Sequence, residues 1–215
     1  MRATFRLMTT KEQMIRILKN LPKRYGNSHS AIIGAMKNAI IFHGSGTTPD
    51  AVWQPWLKKE LQKKGYSVSI PVLTSDDPAA LNVWLPLALK ENYNDQTVLI
   101  GHSSGAPLTL SVLENLNVKV KQAILVAGFI SPLLYDKGYN PILQKKYDWN
   151  KIKKNANEFI FINSVNDPWG CNEEQGKAMF NKLGGSLIVN KEGHMGSQKF
   201  NQPYKEFPFL LRLIE

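Results

Sequence analysis

"LIGHSSGAPL", residues 99–108, runs an apolar strand-like segment into Gly-His-Ser-Ser-Gly and then resumes an apolar, helix-like pattern. An ordinary turn needs one glycine or an Asn-Gly pair. A serine with glycines two positions away on both sides needs another explanation. The pattern fits a serine on a sharp strand-to-helix corner with its hydroxyl turned outward. Gly101 and Gly105 then remove side chains that would collide where strand and helix meet.

The sequence around this corner alternates between two periodicities. "NAIIFH" (38–43), "YSVSIP" (66–71), "TVLIG" (97–101), "KQAILVAG" (121–128), "EFIFINS" (158–164) and "GSLIVNK" (185–191) read as strands. Between and after them, 51–65, 79–92 (with Pro86 as a candidate kink), 103–116, 172–184 and 205–215 read as helices, and 129–156 as a loop-rich insertion. Strands that are apolar on both faces and alternate with helices predict a mostly parallel sheet covered on both sides. In such a sheet, chemistry gathers at the carboxyl ends of the strands.

Four loops leave those ends: "HGSGTTPD" (43–50), "GHSSG" (101–105), "NSVNDPWG" (163–170) and "KEGHMGS" (191–197). They carry Ser103, Asp167 and His194 in the chain order expected of α/β-hydrolases. A serine hydroxyl is a weak nucleophile until a base takes its proton, which is the expected task of His194. Asp167 would hold that imidazole in one tautomer and stabilise it when cationic. An oxyanion would be met by the backbone N–H of Ser104 at a helix start, with Gly44 or Ser45 supplying the second donor.

Alternatives exist at each position. Ser104 has glycines at −3 and +1, the wrong frame for a nucleophile. His29 lies in a basic tail, while His43 and His102 lie inside the other motifs, and His102 reads as a packing residue beside the corner. Asp136 and Asp148 follow no sheet strand, and Asp167 also suits a plain Asn-Asp-Pro turn. Trp53 and Trp56, three apart on the first helix, read as core. Cys171 reads as a buried, idle thiol.

Composition narrows the function class. The 215 residues are 43% hydrophobic and 20% charged, values typical of a folded globular domain. No apolar run is long enough to span a bilayer. One cysteine excludes a disulfide framework and a CxxC metal cluster, so a reducing, cytoplasmic compartment is the expectation. The net charge of +10 is uneven. Residues 1–35 hold seven Lys/Arg against one Glu, whereas the remainder carries twenty bases and sixteen acids. This extension, with Met8, Met14, Ile15, Leu18 and Leu21 near one helical face, reads as an appended amphipathic segment, an organelle-targeting presequence or a start upstream of the natural Met36. "KKYDWNKIKK" (145–154) mixes bases with aromatics but lacks RNP-type signatures, so it reads as a solvated cap segment and no nucleic-acid partner is expected.

Taken together, "IIFHGSGTTPDAVWQPWLKKEL", "LIGHSSGAPL", "NSVNDPWG" and "EGHMGS" resemble the compact serine hydrolases grouped with retinoblastoma-binding protein 9 and bacterial YdeN-type proteins, over residues 36–215. The resemblance implies a reduced, three-layer α/β-hydrolase fold with little or no lid. It also implies action on small esters or amides without metal or cofactor, and a triad on Ser103, Asp167 and His194. The chain departs from the family in its basic extension. It also lacks the Leu-x-Cys-x-Glu motif associated with pocket-protein binding; "WGCNE" (169–173) has Trp169 in place of the leucine, so no such partner is expected. The expectation is a hydrolase of small carboxylic esters. The alternative is a catalytically idle hydrolase-fold protein acting as an interaction module, since fold alone does not make an enzyme.

Overall fold

The computed structural model describes residues 36–74 and 77–214; the basic extension 1–35, with its three candidate readings and His29, lies outside the described residues. Among the described residues, six strands form one sheet: β1 (Asn38–Phe42), β2 (Ser67–Ser69), β3 (Thr97–His102), β4 (Val120–Val126), β5 (Ala156–Ser164) and β6 (Ser186–Asn190). Their spatial order is β2-β1-β3-β4-β5-β6, and every pairing is parallel.

The apolar runs explain this order. β3 is buried at all six positions and stands in the middle, while the half-exposed β2 and β6 take the edges. Chain order reverses direction between β1 and β3, so their carboxyl ends open a crevice at the switch point.

The helices are α1 (Gln54–Lys63), α2 (Leu81–Ala88), α3 (Gly105–Asn115), α4 (Trp149–Lys154), α5 (Glu173–Leu183) and α6 (Pro208–Arg212). They pack as two groups, α1 with α6 and α2 through α5 in succession, as right-handed crossovers on a sheet that reverses direction require. Trp53, Trp84, Phe42, Phe129 and Phe161 are fully buried large side chains of the core.

Several boundaries differ from the sequence reading. The helix after the corner starts at Gly105, not Ser103, because Ser103 has φ 54° and cannot belong to a right-handed helix. The expected helix over 79–92 is confined to 81–88, with Pro86 inside it. The closing helix begins at Pro208, a residue suited to a first turn because the missing N–H would have no partner there, and ends at Arg212. The segment between β4 and β5 is not all loop. Asp148 accepts the Lys151 N–H and caps α4, whose last-turn lysines complement the helix dipole and whose Ile152 is buried. The rival Asp136 is likewise a turn residue, accepting from Leu133 N and Asn140 Nδ2.

Candidate active site

The corner after β3 is built by exclusion of atoms. A Cβ on Gly105 would run into the Phe42 carbonyl, and one on Gly101 would run into the Gly105 carbonyl and Thr109. With both side chains absent, α3 closes against the ends of β1 and β3, and Ser103 takes the left-handed backbone. Ser103 N–H still donates to the Val126 carbonyl at 2.9 Å, so the strained residue stays hydrogen-bonded to the sheet. Gly44, from the loop after β1, faces it: a Cβ there would lie 3.1 Å from Ser103 Cβ. Among the described residues, Ser103 Oγ takes part in no hydrogen bond.

Ser45 and Ser104 are joined side chain to side chain at 2.7 Å, and Ser45 Oγ also accepts the Ala79 N–H at 3.0 Å. The β1 loop is thereby fastened to the corner and to the approach to α2. Among the described residues, the backbone N–H groups of Ser45 and Ser104 donate to no backbone carbonyl.

Asp167 and His194 come together from the loops after β5 and β6. His194 Nδ1 and Asp167 Oδ2 are 2.7 Å apart, and both side chains are almost wholly buried. The other carboxylate oxygen, Oδ1, accepts Trp169 N–H at 2.8 Å and Cys171 N–H at 3.3 Å. Both oxygens are therefore committed, which fixes the carboxylate plane and leaves Nδ1–H as the donor to Oδ2.

The histidine loop is held by polar ties that span the chain. His194 N–H donates to Gln202 Oε1 at 2.8 Å, and Gly193 N–H to Asn166 Oδ1 at 3.0 Å. Trp53 Nε1–H donates to the Met195 carbonyl at 2.9 Å. Ser197 and Gln202 exchange backbone hydrogen bonds, which closes the loop on itself.

His102 joins the two regions. It sits beside Ser103, and its Nε2 lies 3.0 Å from the His194 carbonyl. Its ring packs between Trp53 and His194, with centroid distances of 5.5 and 5.0 Å. Burial first, and then the neighbouring His194, lowers its pKa to about 3. It is therefore neutral, with Nε2–H donating to the carbonyl and Nδ1 buried without a partner. His43 is also fully buried and lowered by burial, its Nδ1 bonded to the Gly44 carbonyl at 2.9 Å.

Cys171 is buried, and burial, then Asp167 and Asp136, push its thiol well above the usual range. Ligand atoms of Asp167, Cys171 and His194 lie within 4.8 Å of one another. A metal there would compete with the Asp167–His194 bond and would need a thiolate that its surroundings oppose.

Of the expected site residues, Asp167 and His194 are in direct contact, Ser103 occupies the corner at the same sheet rim, and Gly44, Ser45 and Ser104 surround it. Gln202 and Asn166 belong to no motif, because a side-chain acceptor for a backbone amide leaves no pattern in the sequence. Trp53 is buried, as its spacing suggested, but it also pins the histidine loop.

Residues 39–213 match the serine hydrolase family. The chain belongs to that family and is a serine hydrolase. It is 31% identical over 135 residues to the YdeN protein of Bacillus subtilis, covering 61% of this chain and 71% of that one. It is 28% identical over 173 residues to serine hydrolase RBBP9 of Rattus norvegicus, covering 76% and 90%. The crystal structure of the ydeN gene product superposes with a TM-score of 0.74 at 26% identity, covering 82% of this chain and 96% of that one. The fold is that of the α/β-hydrolases, and among the described residues no helix is long and apolar enough to cross a membrane.

Proposed function

We propose that this hydrolase cleaves small carboxylic esters through an acyl-enzyme, with Ser103, His194 and Asp167 as its triad. The observation that carries the reading is the buried 2.7 Å Asp167–His194 pair at the rim where Ser103 stands in a left-handed corner. His194 Nε2 takes the Ser103 proton as Oγ attacks the ester carbonyl, and Asp167 stabilises the imidazolium. The oxyanion is met by the Ser104 N–H at the start of α3 and by the N–H of Ser45 or Gly44. Collapse expels the alcohol, which receives the proton from His194. Water, deprotonated by the same imidazole, then releases the acid. The free Ser103 hydroxyl agrees with catalytic hydrogen bonds that tighten when substrate binds.

Short p-nitrophenyl esters provide the test. Wild-type protein should show turnover, with a burst of nitrophenol if deacylation is slow. Asp167→Asn should keep the fold and lose on the order of 10⁴-fold in kcat. Equal turnover by both proteins would refute the triad.

A further inference from the structure

Beside the imidazole, Trp169 presents a ring whose centroid is 6.3 Å from that of His194. Its position is indexed to the proposed triad, because its backbone N–H donates to Asp167 Oδ1 at 2.8 Å. Its indole N–H reaches Ser197 Oγ at 3.3 Å, and Phe200 packs edge-on against it at 5.1 Å. Tyr135, from the segment between β4 and β5, stands edge-on at 5.9 Å on the same ring. Three segments of the chain thus build one aromatic wall, and Tyr135 is 62% exposed on it.

Lys199 completes the wall. Its ammonium lies 4.5 Å from the Trp169 centroid and 5.9 Å from that of Tyr135, held by two ring faces. Among the described residues no carboxylate lies within ion-pair distance of it: the two such pairs are Lys63–Glu60 and His194–Asp167. The Asp136 carboxylate accepts Leu133 N–H and Asn140 Nδ2 through Oδ2, and Asp167 is buried and bonded to His194. An exposed cation is therefore fixed beside the site with its N–H donors unclaimed by a protein anion.

We infer that Trp169 and Lys199 form a specificity seat for esters whose alcohol part carries a carboxylate. The inference rests on the ester reading above and extends it to a substrate class. His194 hands its proton to the departing alkoxide, so the leaving group occupies the histidine side of the site. An aryl or short-chain alcohol there lies against the Trp169 ring and directs a terminal carboxylate to the Lys199 ammonium. The products are a carboxylic acid and a hydroxy-carboxylate. Lys199 takes no part in bond making or breaking and acts on substrate affinity alone.

The experiment compares 4-acetoxybenzoate with its methyl ester, which share an acyl group and differ in the terminal charge. Each is measured on wild-type, Lys199→Met and Lys199→Arg proteins. Lys199→Met should raise KM for 4-acetoxybenzoate roughly fivefold, the scale of one exposed ion pair, and leave kcat and the methyl ester unaffected. Lys199→Arg should restore most of the loss, and added salt should weaken the wild-type preference. An anionic-to-neutral ratio of kcat/KM that is the same in wild type and Lys199→Met overturns the seat. A second arm does not depend on turnover: calorimetric titration with 4-hydroxybenzoate and methyl 4-hydroxybenzoate. Wild-type protein should bind the carboxylate more tightly and Lys199→Met should not; no difference between the proteins overturns the seat. If neither ester is cleaved and a fluorophosphonate leaves Ser103 unlabelled, the ester reading fails, and the titration still decides the seat.

Discussion

The corner at Ser103 and the loop at His194 meet at one sheet rim but are held by different physics. The corner is enforced by missing atoms: Gly101 and Gly105 leave room for carbonyl groups where any Cβ would collide. The loop over 191–202 is enforced by hydrogen bonds, from its own Gln202 and from Asn166, Trp53 and His102 brought from far along the chain. Steric enforcement admits almost no substitution. Polar enforcement is graded, because each tie can be cut alone. Ser103 is thus fixed as firmly as the sheet, while His194 is held by several separable bonds of modest strength.

Substitutions can break this contrast. Gly105→Ala should have the largest effect, because its Cβ meets the Phe42 backbone and not a yielding side chain. The loss should reach about 3 kcal/mol or more, measured by urea unfolding. A stable, active Gly105→Ala protein would show that the corner is not sterically locked. Gln202→Ala should cost about 1–3 kcal/mol by leaving the buried His194 N–H unpaired. It should also lower kcat roughly tenfold through misplacement of the imidazole, with the fold retained. If Gln202→Ala matched Gly105→Ala in lost stability, the distinction between the two regions would disappear.

The joint between them predicts a pH dependence. His102 has its pKa lowered from 6.5 to about 3, chiefly by burial, so the unfolded chain binds a proton that the folded one refuses over that interval. Its contribution to stability is complete above pH 6.5 and is lost as pH falls toward 3, at up to about 1.4 kcal/mol per pH unit. His43, also lowered by burial, acts in the same direction. Urea midpoints taken at pH 7.5 and pH 5 should fall with acidity in wild type, and less steeply in His102→Gln.

The same contrast explains what was legible in the sequence. A steric requirement acts on residue type at fixed spacing, so "GHSSG" announced the corner, and apolar runs such as "TVLIG" and "AILV" announced the buried parallel strands. The cap at Asp148 is a weaker local signal, and α4, capped by that carboxylate through the Lys151 N–H, does not stand out from the loop-rich sequence around it. Gln202 and Trp53 gave no signal for their role at the site. Their partners are backbone atoms of the histidine loop, in the case of Trp53 142 positions away, and a backbone amide or carbonyl does not specify which side chain will reach it. Helical periodicity extends back to Ser103 because it does not report a single left-handed residue.

The central claim is that Ser103 is a nucleophile activated by the Asp167–His194 pair. Intact-mass measurement after treatment with a fluorophosphonate tests it directly. Wild-type protein should gain a single adduct, mapped by peptide sequencing to Ser103; Ser103→Ala should gain none, and folded His194→Gln should react orders of magnitude more slowly. Labelling of Ser103→Ala equal to wild type, or an unlabelled but folded wild-type protein, would contradict the account.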